Sequence, residues 1–160
     1  YEENWTLWAS EGSEHCIDVH RRINNSELLS QLFTYDELRS SALPLLSLCP
    51  RAFAVSHIQA LLLACMHRAV HKQSPYYTDG IAHYSGDRLI WLYDIHLLSQ
   101  TLTEAEWEHF LQLARSKGLA GTCLEGLQQT EKAFGSTTPE FVISGLSVGP
   151  KNDQASAYLT

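Results

Sequence analysis

The segment Cys16-Ile17-Asp18-Val19-His20-Arg21 alternates apolar and polar residues and so predicts a β-strand. Because successive side chains of a strand point to opposite faces, Asp18 and His20 share one face, and Ile17 and Val19 are expected to be buried on the other. A sheet can present a catalytic or metal-binding carboxylate in this way. The alternative is an exposed carboxylate beside a half-buried histidine, and the pair alone does not separate the two interpretations.

The residues before this strand predict its partner. Trp5-Thr6-Leu7-Trp8 is typical of a strand and Ser10-Glu11-Gly12-Ser13 of a turn, so a β-hairpin is the simplest local structure. The chain opens at Tyr1 without an initiator methionine, and a single strand precedes the one that carries Asp18. We therefore expect the hairpin to be the end of a truncated sheet.

The rest of the chain predicts helices. The strongest runs from Ser56 to His71 or Lys72 and is apolar around most of its circumference, so we expect it to be the central buried helix of a bundle. Four other helices are predicted over 27–33, with Ser26 as N-cap, 36–42, 87–99 and 119–134. A fifth begins at a capping box at Thr103 and ends at Lys117-Gly118. Connectors are predicted over 43–51 and 75–86. The expected fold class is α+β: a hairpin (1–24) packed on a bundle of four to six helices (25–137), with an irregular tail (138–160).

Composition excludes some classes of function. The chain has 11 Lys and Arg against 18 Asp and Glu, a net charge of −7, and Arg21-Arg22 is its only basic run, so a generic nucleic-acid surface is not expected. The longest apolar run, Ala60 to Met66, is too short to span a membrane. Four scattered cysteines without a Cys-x-x-Cys pair predict buried free thiols in a reducing compartment, and hence a cytoplasmic protein.

Two histidines share a face of the central helix. His67 and His71 stand at i and i+4, the spacing of helical metal sites, but a zinc protease would need Glu where Arg68 stands. Histidines hydrogen-bonded within the bundle are therefore the preferred interpretation. A metal-dependent hydrolase of the His/Asp type is the least favoured hypothesis, because the chain has no adjacent His-Asp pair.

One carboxylate interrupts the apolar helix predicted over 87–99. A buried ionised carboxylate is costly unless it is paired, so Asp94 should meet a cation or several donors. The candidates are His67, His71, Arg68 and Arg88. We expect Asp94 to bond one of the two histidines and so to form a structural polar cluster of His67, His71, Arg88 and Asp94.

Three blocks of sequence, taken in order, resemble the uncharacterised nucleotidyltransferase family of the polymerase-β-like superfamily. The blocks are Ile17–Ile23, Leu61–His71 and Arg88–Ile95, followed by the Trp107 helix and Lys117-Gly118-Leu119. The resemblance covers roughly Cys16 to Pro139. Each block is weak alone, and the ordered set is more specific.

The resemblance implies a small sheet with three catalytic carboxylates, backed by a helical C-terminal region. Asp18 matches the third carboxylate, and His20 would be a nearby orienting or substrate-contacting group. In such enzymes the carboxylates hold two Mg²⁺ ions, which bind the triphosphate of an NTP and activate the attacking hydroxyl of an acceptor.

The chain departs from the family pattern in one respect. It contains no Asp-x-Asp, and hence no Gly-Gly or Gly-Ser helix start followed by that motif. We therefore expect this chain to be the C-terminal portion of a Mg²⁺-dependent nucleotidyltransferase and to be inactive by itself. We expect no tightly bound cofactor, and the acceptor is unidentified. The alternative is a helical protein-interaction module, and the exposed edge of the hairpin predicts a homodimer.

Overall fold

A computed structural model describes residues 2–24, 29–72, 75–84 and 86–148. The fold class is α+β, as predicted, with an N-terminal antiparallel hairpin followed by helices. The elements are β1 (Glu2–Trp8), β2 (Glu14–His20), a 3₁₀ turn (Leu29–Gln31), α1 (Tyr35–Ser40), β3 (Leu43–Pro44), β4 (Phe53–Ala54), α2 (His57–His71), β5 (Tyr76–Thr78), β6 (Ile81–His83), α3 (Leu89–Ser99), α4 (Glu104–Ser116), α5 (Ala120–Phe134) and α6 (Glu140–Ser147).

The predicted N-terminal hairpin is confirmed. β1 and β2 pair antiparallel, with Asn4 opposite Asp18 and Trp5 opposite Ile17. The connecting turn is closed by the backbone N–H of Ala9, which donates to the Ser13 carbonyl at 2.9 Å. Gly12 has a φ of +87° in this turn, a conformation that a residue with a side chain rarely adopts.

The expected burial of the apolar face of the hairpin is wrong. Ile17 is 55% exposed and Val19 43%, and Trp5 beside them on β1 is 62% exposed. The helices pack on one another, and in the described part of the chain no element covers this face. The hairpin therefore presents one polar and one apolar face, both exposed.

Helix α2 is the central buried helix, as predicted. Ser56 caps it with a capping box, and Leu61, Leu62 and Cys65 have no exposed surface. α2 contacts α3, α4 and α5, and α6 contacts α4 and α5. The core is therefore formed by the helices together with the 3₁₀ turn and the residues after it, and it includes no residue of β1 or β2.

Helix α3 buries less of its surface than expected. Leu92 and Ile95 face α2 and α5 and are buried. The apolar pattern of this helix predicts that four further residues face inward, but all four are exposed: Leu89, Ile90, Tyr93 and Leu97. A helix buries only the side that its neighbours contact. The apolar side chains of α3 that lie outside that side are therefore exposed.

Two further expectations need correction. The stretch 138–160 was expected to be irregular, yet α6 lies within it and buries Val142 and Leu146. The predicted loop 75–86 contains the hairpin β5–β6, whose turn has Asp79 at φ 51° and Gly80 at φ 79°. Asp-Gly is a preferred sequence for such two-residue turns, so Asp79-Gly80 is the sequence signal for this hairpin. The N-cap predicted at Ser26 lies outside the described residues.

The cysteines divide into two pairs. All four are free, as predicted; Cys65 and Cys123 are buried, but Cys16 and Cys49 are exposed. The prediction of buried thiols is therefore correct for the helical core and wrong for the hairpin and the loop before α2. Among the described residues, no helix has the length and apolar content needed to cross a bilayer.

Candidate functional site

The polar face of the hairpin carries the predicted site residues. Paired residues of an antiparallel ladder share a face, so Asn4 and Thr6 of β1 lie beside Asp18 and Cys16 of β2. His20 is on the same face, two positions beyond Asp18, and every residue of β2 is exposed. The structure thus brings Asp18 and His20 to one accessible face, and their chemical roles stay predictions.

A cleft of about 580 Å³ opens where β2 ends, and we call it the arginine cleft. Its described lining is His20, Arg21, Arg22, Ile23, Ser30, Gln31, Phe33, Thr34, Tyr35 and Leu38. None of these residues is acidic. In the sequence, Arg21-Arg22 is a basic run too short for a nucleic-acid surface. The opposite wall comes from α1 and the turn before it, and that proximity is visible only in the folded chain.

His67, His71 and Arg88 all contact Trp91 on α3. The sequence pattern gave no indication of this role for Trp91. The two imidazole centroids are 4.3 Å apart, and each lies 6.1 Å from the centroid of Trp91. The Arg88 guanidinium stands 5.5 Å from the same ring. Partial burial, followed by the proximity of His71, lowers the pKa of His67, and Asp94 acts in the opposite direction.

The expectation that Asp94 is buried and bonded to a histidine is wrong. Asp94 is exposed, and among the described residues it makes no hydrogen bond or ion pair. It lies on the side of α3 that α2 and α5 do not cover, so water solvates the carboxylate. Its influence on His67 is a longer-range electrostatic one.

Arg68 forms the buried polar link between elements instead. Its side chain has no exposed surface, with Nε 2.6 Å from Asp87 Oδ1 and Nη2 donating to Asp87 Oδ2 at 2.7 Å. Nη2 also lies 3.4 Å from Glu125 Oε1 on α5, and Lys72 Nζ donates to the same oxygen. Asp87 and Glu125 lie 19 and 57 residues along the chain, so sequence spacing could not reveal them.

The ionisation of this cluster follows from its pairing. Burial works against the charged guanidinium, but Asp87 and Glu125 outweigh it, so the pKa of Arg68 is raised. Burial likewise opposes ionisation of Glu125, yet Lys72 and Arg68 outweigh it and the pKa of Glu125 is lowered. Both groups are therefore charged at neutral pH, and the cluster acts as a structural tie between α2, α5 and the loop before α3.

A second cleft of about 490 Å³ brings a serine to a histidine beside α3. Ser136 Oγ lies 2.6 Å from His96 Nδ1, and the amide nitrogen of Gln100 lies 3.0 Å from His96 Nε2. With that nitrogen as donor, Nδ1 carries the proton and donates to Ser136. In that tautomer the imidazole donates to the serine hydroxyl and does not accept its proton.

The described residues do not form a ready metal centre. Within them, no group of three or more His, Cys, Asp and Glu side chains could hold an ion. This applies to His67, His71 and Asp94, and equally to the surroundings of Asp18. Asp18 is therefore a single hard oxygen ligand on an open face.

The fold and this face define an α+β protein with an accessible aspartate on a short antiparallel sheet. The sequence model of a family described as uncharacterised nucleotidyltransferase matches residues 1–135. The match covers most of the chain, and the chain belongs to this family. Comparisons with curated proteins and with solved structures gave no significant match.

Proposed function

We propose that this chain contributes to Mg²⁺-dependent transfer of a nucleoside monophosphate from an NTP to an acceptor hydroxyl. The family match over residues 1–135 carries the proposal. The accessible position of Asp18 on a polar sheet face supports it, because a metal-binding carboxylate must reach both ion and substrate. The acceptor is unassigned, and the cytoplasmic location stays a prediction.

In this proposal Asp18 is a ligand of Mg²⁺. A carboxylate oxygen is the hard ligand that Mg²⁺ prefers, and the ion would neutralise charge on the triphosphate. The described residues supply one such ligand here and no three-residue cluster. We therefore propose that Asp18 acts together with carboxylates beyond the described ones, and that this chain alone does not transfer a nucleotide.

His20 is proposed to contact the substrate. It shares the Asp18 face and also lines the arginine cleft, so it stands between the carboxylate and the cleft. An imidazole there can donate to a substrate oxygen or orient the attacking hydroxyl.

A paramagnetic ion tests the role of Asp18 without requiring activity. Mn²⁺ is titrated into the 160-residue chain while line broadening is followed by NMR. We expect broadening centred on Asp18 and on Asn4 opposite it, lost in Asp18→Asn and retained in Asp36→Asn, a control at an exposed carboxylate of α1. Equal broadening at Asp36 and Asp18 would remove the support for a specific metal ligand.

A transfer assay addresses the proposed inactivity. The chain is incubated with each NTP and Mg²⁺, and pyrophosphate release is measured. No release above the background without protein is expected. Mg²⁺-dependent release that Asp18→Asn abolishes would overturn the proposed inactivity while supporting the catalytic role of Asp18.

The exposed hairpin favours a second candidate, binding to a second copy of the chain. β1 and β2 form a two-stranded sheet, so within the described residues both outer edges are unpaired. Trp5 and Ile17 lie side by side on its exposed apolar face. Paired hairpins would satisfy backbone groups and bury this face.

Light scattering tests the dimer. We expect a mass twice that of the chain, reduced to the monomer by Ile17→Lys on the apolar face. Thr6→Lys on the polar face is the matched control and should leave the dimer in place. A monodisperse wild-type monomer at high protein concentration would contradict this candidate.

A further inference from the structure

We propose that the arginine cleft binds the phosphate groups of a nucleotide, with Arg21 and Arg22 as the cationic anchor. This inference rests on the proposed function and extends it from Asp18 to a substrate-binding surface. It concerns how the substrate is held rather than how it reacts.

Charge is the first argument. The chain has a net charge of −7, yet the described lining of this cleft holds Arg21 and Arg22 and no acidic residue. This is the only place in the sequence where two basic residues are adjacent. A concave surface with basic side chains and no carboxylate in its described lining attracts anions.

The availability of the arginines is the second argument. Arg21 Nη2 lies 3.1 Å from Glu3 Oε1, but the two side chains are 71% and 51% exposed, so this pair is weak and readily exchanged. Arg22 makes no hydrogen bond or ion pair with any described residue. Guanidinium groups bind phosphate through two parallel hydrogen bonds, which suits both side chains to this role.

The shape of the cleft is the third argument. Phe33, which is 5% exposed, and Leu38, which is half-buried, form an apolar part of the cleft wall, and Tyr35 in the same lining is 74% exposed. Small-molecule sites combine an apolar wall with a few polar groups that set orientation. This wall suits the nucleoside part of the ligand, and the arginines suit its phosphates.

The position relative to Asp18 is the fourth argument. His20 lines the cleft and shares the sheet face of Asp18, two residues away along β2. At the rise of a strand this separation is about 7 Å. A phosphate bound beside Arg22 and His20 would therefore lie at the end of the sheet face that carries Asp18.

The test is binding of ATP, inorganic triphosphate, AMP and adenosine to the 160-residue chain, measured by calorimetry at low salt. We expect ATP and triphosphate to bind and adenosine not to bind. Arg22→Gln should weaken ATP binding about tenfold, the factor that one charge-assisted hydrogen bond supplies. Arg115→Gln, at an exposed arginine of α4, is the matched control and should bind like the wild type.

Three outcomes would overturn the proposal. They are no binding of ATP or triphosphate at millimolar ligand, unchanged ATP affinity in the Arg21→Gln/Arg22→Gln double variant, or AMP binding more tightly than triphosphate. The last would assign the cleft to a phosphorylated acceptor. Loss of ATP binding in the double variant, with no specific Mn²⁺ effect at Asp18, would support the cleft while rejecting the metal role of Asp18, so the two proposals fail separately.

Discussion

Replacing Arg68 by Met tests the buried polar link most directly. The guanidinium has no exposed surface, and its removal leaves Asp87 without its ion-pair partner and hydrogen-bond donor. Breaking a buried ion pair by removing one member costs about 3–5 kcal/mol, because the remaining charge is uncompensated. The Asp87 side chain is 19% exposed and that of Glu125 43%, so water reaches both carboxylates. We therefore expect a loss of about 3 kcal/mol, at the lower end of the range.

The loss is measurable by thermal and urea unfolding followed by circular dichroism of the helices. For a chain of this size, about 3 kcal/mol corresponds to a fall in Tm of about 6–12 °C. Arg68→Lys keeps the charge but not the planar fork and should fall between the wild type and Arg68→Met. Lys72→Met is the matched control, because Lys72 meets the same Glu125 from a partly exposed position and should cost at most about 1 kcal/mol.

The reasoning would be refuted if Arg68→Met melted within about 2 °C of the wild type, which corresponds to less than about 1 kcal/mol. It would also be refuted if Lys72→Met destabilised the chain as much as Arg68→Met, because burial would then not be the deciding factor. Failure of Arg68→Met to fold, with Lys72→Met folded, would agree with the expectation.

Three further predictions follow from the structure. The hydrogen bond from Lys117, followed by that from the backbone of Thr34, lowers the pKa of Glu37 from 4.5 to about 2. The ionised Glu37 side chain therefore stabilises the fold above pH 4.5, and this stabilisation is lost as the pH falls toward 2. Since the side chain is 46% exposed, this contribution is below about 1 kcal/mol, and urea unfolding of Glu37→Gln should show a flatter pH dependence in that window; a profile like that of the wild type would contradict it. A Cβ on Gly126 would lie 3.1 Å from the sulfur of a buried cysteine, so Gly126→Val should cost about 1–3 kcal/mol, whereas Gly121→Val at an exposed position of the same helix should cost far less; equal costs would refute the packing argument. Asp94→Asn should lower the pKa of His67 further, seen by NMR titration, and change the free energy of unfolding by less than about 0.5 kcal/mol, whereas a large loss would restore a structural role for Asp94.

Local pattern was sufficient wherever neighbouring residues decide the structure. Ser56 begins α2 and the capping box at Thr103 begins α4, as predicted, because a cap and its third following residue lie within one turn. Gly135 ends α5 with a φ of +68°, as its position after the apolar pattern indicated. The alternation around Asp18 correctly predicted a strand and the shared face of Asp18 and His20.

Burial could not be predicted in the same way, because it depends on which elements meet. Ile17 and Leu89 both have the pattern of core residues, and both are exposed because no described element covers them. Asp94 has the pattern of a buried carboxylate and is solvated. Arg68, an ordinary residue in its local sequence, is the largest fully buried side chain.

The sequence by itself thus determined the α+β class, the α2 core helix, the hairpin and the family, all of which rest on local pattern or on the order of motifs. Only the tertiary structure decided that Arg68 pairs with Asp87 and Glu125, and that Arg21, Arg22 and Phe33 line one cleft. The physical reason is distance along the chain. Ion pairs and clefts whose residues come from separate segments form only when the folded chain brings those segments together.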